Sequence, residues 1–79
     1  MEGYLAEIKL WAGRFVPRNW ALCDGAILEI RSNTPLFALI ENKYGGDMVN
    51  TFALPDLRGQ APANLNYIIC VAGIFSRPD

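Results

Sequence analysis

Between Tyr4 and Trp11 the residues Leu5, Glu7, Lys9 and Trp11 interleave with Tyr4, Ala6, Ile8 and Leu10, and Ala12 continues the second set. An alternation of period two predicts a strand with one buried face. Gly13 to Asn19 gathers a glycine, a proline and an asparagine, which predicts a loop whose Phe15 must pack down on something. Trp20-Ala21-Leu22-Cys23 is short and apolar and stops at Asp24-Gly25, a pair suited to the positive φ of a tight turn. Ala26 to Ile30 is then the predicted return strand of a small hairpin.

Arg31-Ser32-Asn33-Thr34-Pro35 predicts a helix start, with Asn33 or Thr34 as cap and Pro35 where a missing N–H does no harm. Leu36, Leu39, Ile40 and Lys43 share one face, Phe37 and Tyr44 flank it, and Gly45-Gly46 would end the helix with a left-handed cap. A helix of roughly ten residues is stable only when docked. Asp47 to Asn50 reads as a loop, Thr51 to Leu54 as a short extended piece, and Pro55 to Asn64 as a second loop. Leu65 to Phe75 is the last predicted strand, and its unbroken apolar run from Tyr67 to Ala72 suits a central strand buried on both faces. Ser76 to Asp79 is a polar tail expected to fray. The expected fold is α+β, a small mainly-β domain with one short helix packed on a small sheet, forming a single unit over residues 1–79. Its predicted core sets Trp20, Leu22 and Cys23 against Ile68, Ile69 and Cys70, with Leu36, Leu39 and Ile40 laid across them.

Composition changes the picture in one respect. With 52% hydrophobic and 19% charged residues in a chain of 79, there is more apolar side chain than one small core can hide. Self-association follows as an expectation. The formal charge of −1, with basic residues scattered singly from Lys9 to Arg77, lacks the basic stripe of a nucleic-acid binder. Met1-Glu2-Gly3 carries an acid where a secretory leader has its positive charge, so the first residues are expected to be mature protein. The longest uncharged apolar run, Ile68 to Phe75, is far short of the roughly 20 residues of a membrane span, and no membrane insertion is expected.

Chemistry has few places to reside. The chain has no histidine, and its two cysteines, Cys23 and Cys70, sit in separate segments, so a zinc site within one chain is not expected. Two buried thiols and a Cys23–Cys70 disulfide are both compatible with the sequence. Asp24, Asp47 and Asp56 could form a carboxylate pair for hydrolysis, yet each adjoins a glycine or proline and reads first as a turn former. A cysteine without a histidine partner lacks activation as a nucleophile. Gly45-Gly46-Asp47 follows a helix rather than preceding one, which is the wrong side for a phosphate cradle. No catalytic, metal or cofactor residue is assigned. Trp11, Phe15, Trp20, Phe37, Tyr44, Phe52, Tyr67 and Phe75 are spread over all segments, as core fillers are. An exposed ring cluster that stacks on sugars is the functional alternative for the same residues.

Five segments taken in order resemble a known family. They are Glu7 to Gly13, Pro17 to Gly25 (PRNWALCDG), Asn33-Thr34 followed by LFALI, Tyr44 to Asp47 (YGGD) and Thr51 to Gly59 (TFALPDLRG). This succession resembles the phage tail collar domain of tail-fibre proteins and bacterial microcystin-dependent proteins. The signature positions are Trp20, Cys23, Asp24, Gly25, Gly45, Gly46, Asp47, Pro55, Asp56, Leu57, Arg58 and Gly59. Residues 1–59 correspond to the collar motif and residues 66–75 to the C-terminal core strand. Residues 60–65 replace a long glycine- and glutamine-rich region usual in the family. The resemblance implies a non-enzymatic structural module without cofactor, self-associating most simply as a homotrimer and meeting other tail or fibre proteins in a virion or extracellular assembly. The alternative function is a host-surface or glycan-binding adhesin.

Overall fold

The computed structural model describes residues 3–75. Its elements are β1 (Ile8–Trp11), β2 (Trp20–Leu22), β3 (Ile27–Glu29), α1 (Thr34–Ile40), β4 (Thr51–Ala53) and β5 (Asn66–Cys70). They form a three-stranded sheet of order β1-β5-β2 and a two-stranded sheet β3-β4, with every pair antiparallel. This is the expected α+β arrangement, mostly strand with one short helix. The expected tail at Ser76 to Asp79 and the chain start at Met1-Glu2 lie outside the described residues.

The apolar run in β5 does what its composition predicts. Ile68, Ile69 and Cys70 are all fully buried, and β5 lies between β1 and β2. Successive side chains of a strand point to opposite faces, so one strand feeds two clusters. Ile69 joins Leu5, Cys23, Leu36, Phe52 and Leu54, with Phe37, Leu39 and Ile40 of the helix side packed against them. Ile68 and Cys70 join Trp20, with Trp11 and Val16 closing that side. Cys23 and Cys70 are both buried free thiols, one in each cluster.

Several local expectations are corrected by long-range pairing. The first strand is shorter than its alternation, because Ala6 adopts φ 69° and donates its N–H to Cys70 O at 3.0 Å. Tyr4 instead forms a parallel bridge with Ile74. The apolar set of β1 does not face the core. Ile8 and Leu10 are exposed on this edge strand, whereas Lys9 turns inward and holds its ammonium 4.8 Å from the Trp20 ring centroid. Its stem and charge both find a partner there.

The predicted hairpin is absent. β2 pairs with β5, placing Trp20 opposite Cys70, and β3 pairs with β4, placing Leu28 opposite Phe52. Asp24-Gly25 therefore carries the chain from one sheet to the other. The helix ends at Ile40, where Glu41 at φ 51° takes the left-handed position and donates to Phe37 O. Gly45-Gly46 lies beyond it and is not its cap. Asn33 directs its amide to Glu29 O rather than to the helix amides. Phe15 does not pack down. Its side chain is 79% exposed while its carbonyl accepts Trp11 Nε1–H at 2.9 Å. Leu22, expected in the core, is exposed, and β5 stops at Cys70 rather than running to Phe75. Phe52, one of the rings read as core fillers, is fully buried, and so are Leu54 and Pro55, which the sequence placed in no core.

A tight turn closes the connection into β5. Leu65 N–H donates to Pro62 O at 2.9 Å, and the two central residues, Ala63 and Asn64, have φ 54° and 59°. Both angles suit a type I′ turn, which favours asparagine and glycine but not alanine. Relief of the Cβ clash exceeds the entropy lost by a glycine. Ala63→Gly should raise stability by about 0.5–1 kcal/mol, read as a higher urea midpoint. Phe52→Ala should lower it by about 3–5 kcal/mol in the same titration.

Candidate functional site

The signature residues assemble into two constellations joined by β4. The first forms where the 23–25 and 55–57 segments cross. Asp24 and Asp56 make an antiparallel bridge, Leu57 N–H donates to Cys23 O at 2.8 Å, and Gly25 N–H donates to Pro55 O at 3.3 Å. Cys23 N–H reaches Tyr67 O at 3.1 Å, which ties the crossing to β5. Cys23 and Pro55 are buried at the crossing, Leu57 packs on the main cluster, and Trp20 is buried in the other cluster. Gly25 at φ 80° faces the Asp56 side chain, and a Cβ there would find room but be strained by the left-handed conformation.

Asp56 and Arg58 lock onto each other. Arg58 donates Nε–H to Oδ1 at 2.9 Å and Nη2–H to Oδ2 at 2.7 Å, while its backbone N–H adds a bond to Oδ1 at 3.2 Å. A bidentate fork of this kind fixes the loop that leads to Gly59. Hydrogen bonds from the Arg58 side chain and amide hold the Asp56 carboxyl at about 2, and Asp56 in turn raises the Arg58 guanidinium above its ordinary value. Asp24 Oδ1 accepts Ala26 N–H at 3.2 Å, closing the turn on the other strand.

The second constellation is Gly45-Gly46-Asp47 against the start of β4. Asp47 Oδ1 accepts the N–H groups of Val49, Asn50 and Thr51 at 2.8–2.9 Å, and Asp47 N–H donates to Thr51 Oγ1 at 3.0 Å. Those three backbone donors, Val49 first, hold the carboxyl at about 2. Gly46 has φ 105°, and a Cβ there would overlap Phe52 Cα and stand 2.5 Å from Thr51 O. The glycine lets the loop lie directly on β4, and Ala53 N–H donates to Gly45 O at 3.0 Å. Thr51 was missed as a partner of Asp47, although a threonine four residues after an aspartate is a recognisable side-chain acceptor for that turn.

The sequence profile of the phage tail collar domain matches residues 6–62. The chain belongs to the phage tail collar domain family. No curated protein matches it. The matched span contains both constellations of the collar chain. The family is a structural one of phage tail fibres, and membership suggests a virion-associated role for this collar domain.

The three aspartates that could have formed a hydrolytic pair are engaged otherwise in the collar domain. A general acid needs a raised pKa, whereas Asp47 and Asp56 are held low by donors and serve as loop fasteners. The Cys23 thiol is pushed up to about 11, by burial first and then by the charge of Asp24, which leaves it protonated and unreactive at neutral pH. Among the described residues no cluster of three metal-ligating side chains occurs, and no helix is long and apolar enough to cross a membrane. Trp20 is buried, Trp11 is bound to the Phe15 carbonyl, and Phe37 meets Phe52 edge-on at 5.3 Å between centroids.

Beside the first constellation lies an open cleft of about 490 Å³ between β2, β5 and the 57–66 segment. Asp24 and Arg58 border it, as do Asn64, Asn66 and Tyr67, and Leu22, Leu57 and Leu65 give it an apolar floor. Of these, the sequence singled out Asp24, Leu57 and Arg58. Asn64 and Asn66 were read only as loop and strand, and Tyr67 as a core filler or one ring of a sugar-stacking cluster, since nothing local shows that β5 returns beside Asp24.

The low carboxyl pKa values set a pH dependence with a definite sign. Folded-state values near 2 lie below the unfolded carboxylate value of about 4, so the stabilisation is complete above about pH 4 and is lost as pH falls through about 2. The urea midpoint should fall across that window, and Asp47→Asn should flatten the profile there while lowering stability at pH 7. Arg58→Ala should move the Asp56 titration, followed by carboxyl NMR shifts, upward toward the ordinary aspartate range.

Proposed function

We propose that this chain is a non-enzymatic structural module of a tail-fibre-like assembly and that it associates with copies of itself, as a trimer. One observation carries the reading. Among the described residues eleven large apolar side chains are exposed, including Phe15 at 79%, Val49 at 76%, Met48 at 67% and Ile27 at 60%. So much apolar surface on so small a body suits an assembly component rather than an isolated monomer. Two of these side chains are also held in place. Met48 and Val49 project from the loop that Asp47 fastens with three hydrogen bonds, so little conformational freedom is lost when a partner covers them. Residues 1–59 act in this reading as the collar motif, 60–65 as the shortened connection and 66–75 as the core strand of one unit. Other tail or fibre proteins are the natural further partners.

A second reading, contact with a host-surface glycan, is favoured by the mixed polar and apolar cleft beside Asp24 rather than by a stacked ring cluster.

Light scattering on a size-exclusion column should give the mass of a discrete trimer that persists on dilution and in reductant. A monomer at about millimolar concentration overturns self-association. Val49→Asp should lower the mass while leaving the far-ultraviolet circular dichroism unchanged, because the side chain supports no core contact in the monomer.

A further inference from the structure

The cleft between β2, β5 and the 57–66 segment holds hydrogen-bonding groups that the fold itself does not consume. Asp24 gives one carboxylate oxygen to Ala26 N–H, and the other bonds no group among the described residues. Arg58 commits Nε and Nη2 to Asp56 and keeps Nη1. The side chains of Asn64, Asn66 and Tyr67 bond no protein group among the described residues, and all three border the same space. The ionised members are one carboxylate and one guanidinium, and because the guanidinium is already paired with Asp56 the Asp24 charge is only partly offset, which disfavours an anion. Leucines 22, 57 and 65 supply an apolar floor. A volume of about 490 Å³ lies within the range of small-molecule sites.

Asn64 reaches this cleft from the second central position of the left-handed turn, with φ 59° after 54° at Ala63, a position that suits asparagine.

We propose that this cleft binds a neutral saccharide unit, an inference that rests on the glycan-contact reading and gives it a location. The remaining Asp24 oxygen accepts from ring hydroxyls, and the Asn64 and Asn66 amides donate and accept as only amides can. Tyr67 and the leucine floor meet the C–H face of the sugar. A phosphorylated or sulfated sugar would meet the Asp24 charge with only half of the Arg58 fork free to compensate, so the neutral ring is the fitting ligand.

The test is a series of ¹H–¹⁵N NMR titrations of the full chain with methyl glucoside, methyl galactoside and N-acetylglucosamine, each to about 50 mM, a range that suits weak single-site binding. At least one probe should shift the amides of Asp24, Asn64, Asn66 and Tyr67 saturably. Asn64→Gly preserves the left-handed turn and Asp24→Asn preserves the acceptor for Ala26, so both variants keep the fold. Each should weaken that binding about tenfold. Unchanged affinity in both variants overturns the proposal. Shifts gathered elsewhere on the surface overturn the site while leaving glycan contact standing, and no shift with any probe overturns both. Shifts of these same amides with protein concentration alone would mean that a second copy covers the cleft, which also overturns it.

Discussion

Burial of β5 on both faces is the constraint from which the rest of the fold follows. A strand with Ile68, Ile69 and Cys70 all removed from water needs a partner on each edge and a layer on each face. β1 and β2 satisfy the edges. One face is covered by the helix and the β3-β4 pair through Leu36, Phe52 and Leu54, and the other by Trp20 with Trp11 and Val16. Because both neighbours of β5 come from the first third of the chain, the two ends must meet before either sheet face is complete. The Tyr4–Ile74 bridge extends that meeting beyond the strands.

The collar signature is the apparatus that makes this arrangement possible in so few residues. β2 and β3 are adjacent in sequence but belong to different sheets, and so are β4 and the segment leading to β5. The Asp24–Asp56 bridge is where the two crossings hold each other, with the Asp56–Arg58 fork and the Asp24 turn fixing the chain on either side. Asp47 does the same work at the other end of β4. Short strands stabilised by side-chain fasteners in loops leave only a small helix and few layers to cover apolar residues, and much apolar surface remains outward. The same economy that closes the fold leaves the cleft beside Asp24 open.

Local chemistry made the punctuation of this chain readable. The Pro35 helix start, the extended character of Thr51 to Ala53, the loop from Pro55 onward and the central place of the Tyr67 to Cys70 run all follow from residue type and spacing over a few positions. So do the turn roles of Asp24, Asp47 and Asp56, because an aspartate that bonds amides two to four residues on needs no distant partner. The succession of signature segments likewise fixed the family from the sequence.

Pairing was decided only by tertiary structure. Asp24-Gly25 is as good a hairpin turn as a crossing point, and the choice fell to β5, whose backbone groups could be satisfied only by taking β2 away from β3. The same competition cut the first strand at Ala6, turned Lys9 toward Trp20 while leaving Ile8 and Leu10 outside, and buried Leu54 and Pro55, which carry no local core signal. The cleft belongs to this second class, since its asparagines and tyrosine reach Asp24 only through the return of β5. Sequence determined what each segment could be, because propensity and turn chemistry act within a few residues. The tertiary structure determined which segments met, because the burial of one strand on two faces is satisfied only by the whole chain at once.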